Sequence, residues 1–214
     1  MSKPVLSAHF ESRVPSDVRL SQMKYAERKN KPEAVINVGI GNVSLPTNPA
    51  MQKRMFNLDA PESPFNKGVI RYTATGGFGE TQDAFINILK CQGFDTSKLS
   101  VVVTDGGSTG MELLIIGVCG PAGVEEKPLM MIDPAYTNYI SFAERLGRKT
   151  ITVKRHLNED GKFSLPEIDK IEETIKESNP GALLVVPYDN PTGQYFDKET
   201  LISLAELCVK YNGK

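Results

Sequence analysis

The sequence predicts an α/β fold, a three-layer sandwich in which a mostly parallel sheet carries helices on both faces. Three observations carry this expectation. From residue 77 onward, short apolar runs alternate with helix-length amphipathic segments. The runs are four residues long and apolar or β-branched throughout, the pattern of strands buried on both faces. The segments between them are long enough for the right-handed crossovers that parallel pairing requires.

The elements follow in chain order. Residues 1–34 are polar and charged, and a helix is expected over 17–30, capped by Ser16 or Asp17 and closed before Pro32. Residues 35–38 form a β-branched run that stops at Gly39-Ile40-Gly41-Asn42, and 42–50 read as loop, with Pro46 and Pro49. A helix over 80–92 would place Ala84, Phe85, Ile88 and Leu89 on one face. Strands are expected at 101–104, 129–132, 150–153 and 183–186. The helices between and after them are expected at 111–118, at 139–146 with Gly147 just beyond its end, at 165–178 introduced by Ser164 with Pro166 in the first turn, and at 198–211.

Composition excludes several function classes. The 214 residues hold 25 Lys and Arg against 26 Asp and Glu, a net charge of −1, which argues against a basic nucleic-acid arm or a polybasic membrane patch. The longest apolar run, 113–120, is far too short for a bilayer span, and the charged N-terminus is no signal peptide. Cys91, Cys119 and Cys208 are odd in number and far apart, which fits a reducing, cytoplasmic setting rather than a disulfide framework. The two histidines, His9 and His156, lie at no ligand spacing, so no metal is expected. A chain of this length buries roughly 70% of its unfolded surface and folds without staples.

Ligands of such sheets bind beyond the carboxyl ends of the strands, and three unusual loops fall there. Asp105-Gly106-Gly107-Ser108-Thr109-Gly110 joins a strand to a helix N-terminus, where unpaired amides and the helix dipole suit a phosphate; it could equally be a glycine-rich turn with a hydroxyl cap. It is neither a P-loop nor a dinucleotide fingerprint, since no Lys-Ser/Thr follows and the glycines fall at 106, 107 and 110. Asp133-Pro134-Ala135-Tyr136 holds an aromatic that could stack on a flat ring or pack on the sheet edge. Tyr188-Asp189-Asn190-Pro191-Thr192-Gly193 follows a buried strand.

Taken in order, these loops resemble the fold-type I, class I/II aminotransferases of the aspartate aminotransferase superfamily, from about Ile36 to the end of the chain. The resemblance implies pyridoxal 5′-phosphate as cofactor and amino-group transfer between an amino acid and a 2-oxo acid. It implies that Gly107, Ser108 and Thr109 form the phosphate cup, that Tyr136 stacks on the pyridine ring, and that Asn190 hydrogen-bonds the ring hydroxyl oxygen. Ile40 and Gly41 resemble the segment that closes over the substrate, Gly41 offering its amide to the carboxylate. Tyr72, in Arg71-Tyr72-Thr73-Ala74, resembles the tyrosine that reaches the partner's cofactor phosphate, which implies a homodimer with shared sites. By the same resemblance, residues 1–50 form an N-terminal arm and small-domain segment, and 51–214 the N-terminal part of the cofactor-binding large domain. Thr81-Gln82 and Asp189 depart from the family pattern. The Schiff-base lysine, the aspartate for the pyridinium nitrogen and an arginine for the substrate come later in the family than Lys214, so the chain is expected to be an incomplete large domain, inactive alone. Two alternatives stand beside this reading: a doubly wound nucleotide-binding protein using Gly106 to Gly110 and Asp133, and a non-catalytic fragment with the same fold.

Overall fold

The computed structural model describes residues 5–32, 35–36, 38–39, 41, 44–120 and 127–211. The chain divides into two compact units, Met1–Ala74 and Thr75–Lys214.

Helices make up the regular structure of the first unit. Helix α1 (Ala8–Glu11) is capped by Ser7, whose hydroxyl accepts from the Phe10 amide at 3.2 Å. Helix α2 (Asp17–Ala26) starts where the sequence places it but ends four residues sooner, since Glu27 and Arg28 already turn back onto Met23 and Tyr25. Helix α3 (Pro49–Phe56) corrects the loop reading of its first residues. Asn48 caps it by accepting from the Ala50 amide at 2.9 Å, and Pro49 takes the first position, where a missing N–H costs nothing. The β-branched run at 35–38 forms no strand at its described positions.

The second unit holds the sheet. Strands β1 (Leu129–Asp133), β2 (Thr150–Lys154) and β3 (Ala182–Leu184) are parallel in the order β2-β1-β3. Helices α4 (Gly79–Cys91), α5 (Gly107–Cys119), α6 (Thr137–Arg145), α7 (Ile168–Ser178) and α8 (Lys198–Lys210) complete it. Side chains alternate along β1, so one strand feeds two cores. Leu129 and Met131 pack with Ile115 and Cys119 of α5 and Phe142 and Ala143 of α6. Met130 and Ile132 pack on the other face with Ile171 and Ile175 of α7 and Leu204 and Leu207 of α8. These are the three layers that the alternation predicts.

In this unit three expectations need correction. Residues 101–104 have the composition of a strand but join no ladder among the described residues; only the Val103 amide reaches a backbone carbonyl, that of Gly76, at 3.4 Å. A β-branched run becomes a strand only beside another strand's free edge. Helix α5 begins at Gly107, not 111, so the glycine-rich loop is itself the first helical turn. Helix α7 begins at Ile168, because Ser164 is engaged in a different motif. Its hydroxyl accepts from the His156 amide at 3.1 Å and its own amide donates to the His156 carbonyl at 2.7 Å, closing the 157–163 hairpin. Among the described residues, no helix is long and apolar enough to cross a membrane.

Candidate functional site

Contacts at both ends of α5 fix its direction. At its C-terminal end, the Cys119 carbonyl accepts from the Lys127 amide at 2.9 Å, just before β1 begins. A Cβ on Gly181, just before β3, would come within 2.3 Å of the Val118 carbonyl oxygen. At the other end, Met111 packs against the same core cluster as Ala135 and Tyr139, which lie just past the end of β1. Helix α5 therefore runs antiparallel to the strands, and its N-terminus opens at the carboxyl edge of the sheet.

That N-terminus is prepared for an anion. Gly106 is the cap residue, with φ 136° and ψ 164°, a conformation that only glycine adopts readily. The Thr104 hydroxyl donates to the Gly106 carbonyl at 2.8 Å, and the first amide to bond back is that of Gly110, at 3.2 Å. The amides of Gly107, Ser108 and Thr109 have no partner among the described residues, and neither serine nor threonine caps the helix with its side chain. Nothing lies within 4 Å of a Cβ built on Gly107. Three free amides, two free hydroxyls and the positive end of a dipole make a donor set that fits a phosphate dianion.

The sheet brings two more loops to this edge. Register pairs Asp133 with Lys154 and Met131 with Leu184, so 134–136, Arg155 and 187–190 all emerge on one side. Tyr136 is the cap residue of α6; its hydroxyl accepts from the Asn138 side chain at 2.7 Å, and its ring meets Tyr139 edge-on at 5.5 Å. Asn190 is exposed, in a turn closed by Asp189 N–H to the Gln194 carbonyl at 2.7 Å and Gly193 N–H to the Asp189 carbonyl at 2.9 Å. The Asp133–Pro134 and Asn190–Pro191 peptides are cis. Gly107, Ser108 and Thr109 in the first turn of α5, and Tyr136 and Asn190 on loops, thus lie at one edge of one unit.

The remaining predicted residues belong to the first unit. Tyr72 is fully exposed, and nothing lies within 4 Å of a Cβ built on Gly41. Ile40 lies outside the described residues. Helix α2 together with Val35, Ile36, Val38 and Gly39 lines an open groove that includes Val18 and Tyr25.

Sequence reasoning missed three residues that support these loops. Gln82 donates from its side chain to the Gly76 carbonyl at 2.7 Å, holding the turn on which the 101–104 segment rests. Gln194 grips the Phe163 backbone from both sides, accepting at 2.7 Å and donating at 3.1 Å. Arg155 forms a buried ion pair with Asp189, the side chains 1% and 5% exposed. The partners of Gln194 and Arg155 lie more than thirty residues away and leave no local pattern; the departures at Thr81-Gln82 and Asp189 are the sequence signals near these contacts. Among the described residues, no group of three or more His, Cys, Asp or Glu could hold a metal ion.

The chain is similar to known proteins over most of its length. Residues 33–213 match the family described as aminotransferase class I and II. An aspartate aminotransferase of Sulfurisphaera tokodaii is 27% identical over 180 residues, 84% of this chain and 42% of that protein. A histidinol-phosphate aminotransferase 2 of Mannheimia succiniciproducens is 36% identical over 113 residues, 53% of this chain and 29% of that protein. An alanine aminotransferase structure from Pyrococcus furiosus shares the fold, with a TM-score of 0.78 at 23% identity, over 97% of this chain and 50% of that one. The chain spans about half the length, or less, of these relatives.

Proposed function

The chain belongs to the class I and II aminotransferases, and from that premise we propose that it carries the phosphate- and ring-holding part of an enzyme that moves an amino group between an amino acid and a 2-oxo acid. The observation that carries this reading is the open N-terminus of α5 at the sheet edge that also presents Tyr136 and Asn190. Pyridoxal 5′-phosphate, when bound, supplies the electron sink for chemistry at the substrate's α-carbon. The chain's own residues bind and orient. The amides of Gly107, Ser108 and Thr109 and the two hydroxyls hold the phosphate, the Tyr136 ring offers a face for stacking, and the Asn190 side chain hydrogen-bonds the ring hydroxyl. Gly41 donates its amide to the substrate carboxylate, and Ile40 flanks it. Tyr72 serves the partner's phosphate, so the working enzyme is a homodimer; its exposure supports that role. Charge balance and three unpaired thiols support a cytoplasmic enzyme. The family match favours this reading over the nucleotide-binding alternative.

The test is titration of the 214-residue chain with pyridoxal 5′-phosphate, followed by borohydride reduction with mass mapping and an amino-acid half-reaction assay. Weak, reversible binding competed by inorganic phosphate is expected, with no stoichiometric lysine adduct and no turnover. A chain extended to the length of its relatives is expected to gain both. Turnover by residues 1–214 overturns the division of labour proposed here. An extended chain that ignores the cofactor overturns the functional reading.

A further inference from the structure

The Arg155–Asp189 pair lies where the two ring-side loops meet, and its contacts reach both. The Arg155 amide donates to the Asp133 carbonyl at 2.9 Å, which places the side chain just beyond the sheet edge. Its guanidinium Nη2 donates to Asp189 Oδ2 and also to the Pro134 carbonyl, at 3.4 Å. The guanidinium lies over two aromatic faces, Phe196 at 5.1 Å and Phe163 at 5.5 Å. Asp189 Oδ2 accepts a second hydrogen bond, from the Thr192 hydroxyl at 2.5 Å. Asn190 therefore sits between two anchored residues of one turn, and Tyr136 stands two residues beyond a carbonyl held by the same cation.

Helices and strands alone do not set the distance between these loops. The 134–136 segment follows β1 and the 188–193 turn lies a few residues beyond β3, and no ladder bond among the described residues joins the two. A planar guanidinium with a fixed fork of donors is suited to bridge them, and its desolvation is offset by the carboxylate and the two rings. We propose that Arg155 is a positioning residue of this site: through Asp189 and the Pro134 carbonyl it sets the spacing between Asn190 and Tyr136, and so the width of the slot that receives the cofactor ring. This rests on the reading that those two residues hold the ring. It separates the site into two independently supported parts, since no hydrogen bond or ion pair among the described residues links the phosphate cup on α5 to the pair.

The test uses the whole 214-residue chain. Arg155→Met leaves a buried carboxylate uncompensated and endangers the fold. The paired variant Arg155→Met/Asp189→Asn removes both charges and keeps an acceptor for Thr192, so it serves as the main probe, with circular dichroism as the check on folding. Pyridoxal 5′-phosphate and inorganic phosphate are titrated separately. Binding of pyridoxal 5′-phosphate is expected to weaken roughly tenfold, the loss typical when outer groups that orient a site's ligands are removed, while inorganic phosphate binding stays unchanged. Amide exchange is expected to rise together in 133–139 and 188–196 and not in α5. Loss of affinity for both ligands in parallel, or unchanged exchange in either turn, overturns the inference. A parent chain that never binds pyridoxal 5′-phosphate, with exchange rising in both turns of the variant, overturns the functional reading and the positioning role with it, leaving a purely structural clamp.

Discussion

Gly106 shows how much one residue can decide. Its φ of 136° is open to glycine and strained for any L side chain, although nothing lies within 4 Å of a Cβ built there. The cost of Gly106→Ala therefore comes from the backbone rather than from a clash, and strain of this kind runs to about 1–3 kcal/mol. Gly107, one residue on, is helical, has the same open surroundings, and gains from alanine's better helix propensity, by roughly 0.5–1 kcal/mol. Urea denaturation of the two variants is expected to move in opposite directions, Gly106→Ala losing stability and Gly107→Ala gaining it. Equal effects would mean that the α5 N-terminus is not held in the conformation that frees its amides. The sequence already marked both glycines as a phosphate-competent turn, because glycine spacing before a helix is a local signal. It could not assign them different roles, since that difference is a backbone angle.

Elements legible in the sequence are those whose stability is local or whose burial is complete. Strands β1 and β2 and helices α6 and α8 fall within two residues of where periodicity and turn residues put them. Residues 101–104 and 165–167 fail for a shared reason: a partner outside the segment decides their state, a neighbouring strand that the first lacks among the described residues and the Ser164–His156 bonds that precede the second. Helix α7 is coupled to α8 by long-range contacts of Glu172. Glu172 accepts from Lys210 at 2.7 Å and from the Tyr211 hydroxyl at 2.5 Å, with Lys176 at 3.2 Å. These bonds, those from Lys210 and Tyr211 foremost, hold its carboxyl at about 2 against an ordinary 4.5. A depressed carboxylate favours the folded state above its unfolded pKa, and that contribution fades as pH falls through the folded value. Stability of the parent chain is thus expected to decline between about pH 4.5 and 2 more steeply than that of Glu172→Gln, the two curves converging towards the acid end. Parallel curves over that window would show that the α7–α8 bridge does not form in solution.

At the scale of the whole molecule, the cores account for only part of the apolar surface. Helix α5 buries Ile115 and Cys119 against the sheet, yet Leu113 and Leu114 on its other side are 53% and 59% exposed. Helix α4 has an amphipathic face, as the sequence predicts, but Phe85, Ile88 and Leu89 on it are all exposed, and α4 buries no residue. Val102 and Val103, in the segment that joins no ladder, are exposed as well. Apolar residues scattered singly on a surface need no explanation; apolar helix faces and an unpaired β-branched run in one unit do. Exposed apolar faces and free backbone groups promote association. Sedimentation of the 214-residue chain is therefore expected to show concentration-dependent self-association. Leu113→Lys/Leu114→Lys should reduce it without loss of helical content, because these side chains leave the Ile115 and Cys119 contacts to the sheet untouched. A parent chain that stays monomeric at high concentration, or a lysine variant that associates as strongly, would show that the apolar face of α5 is not where copies of the chain meet.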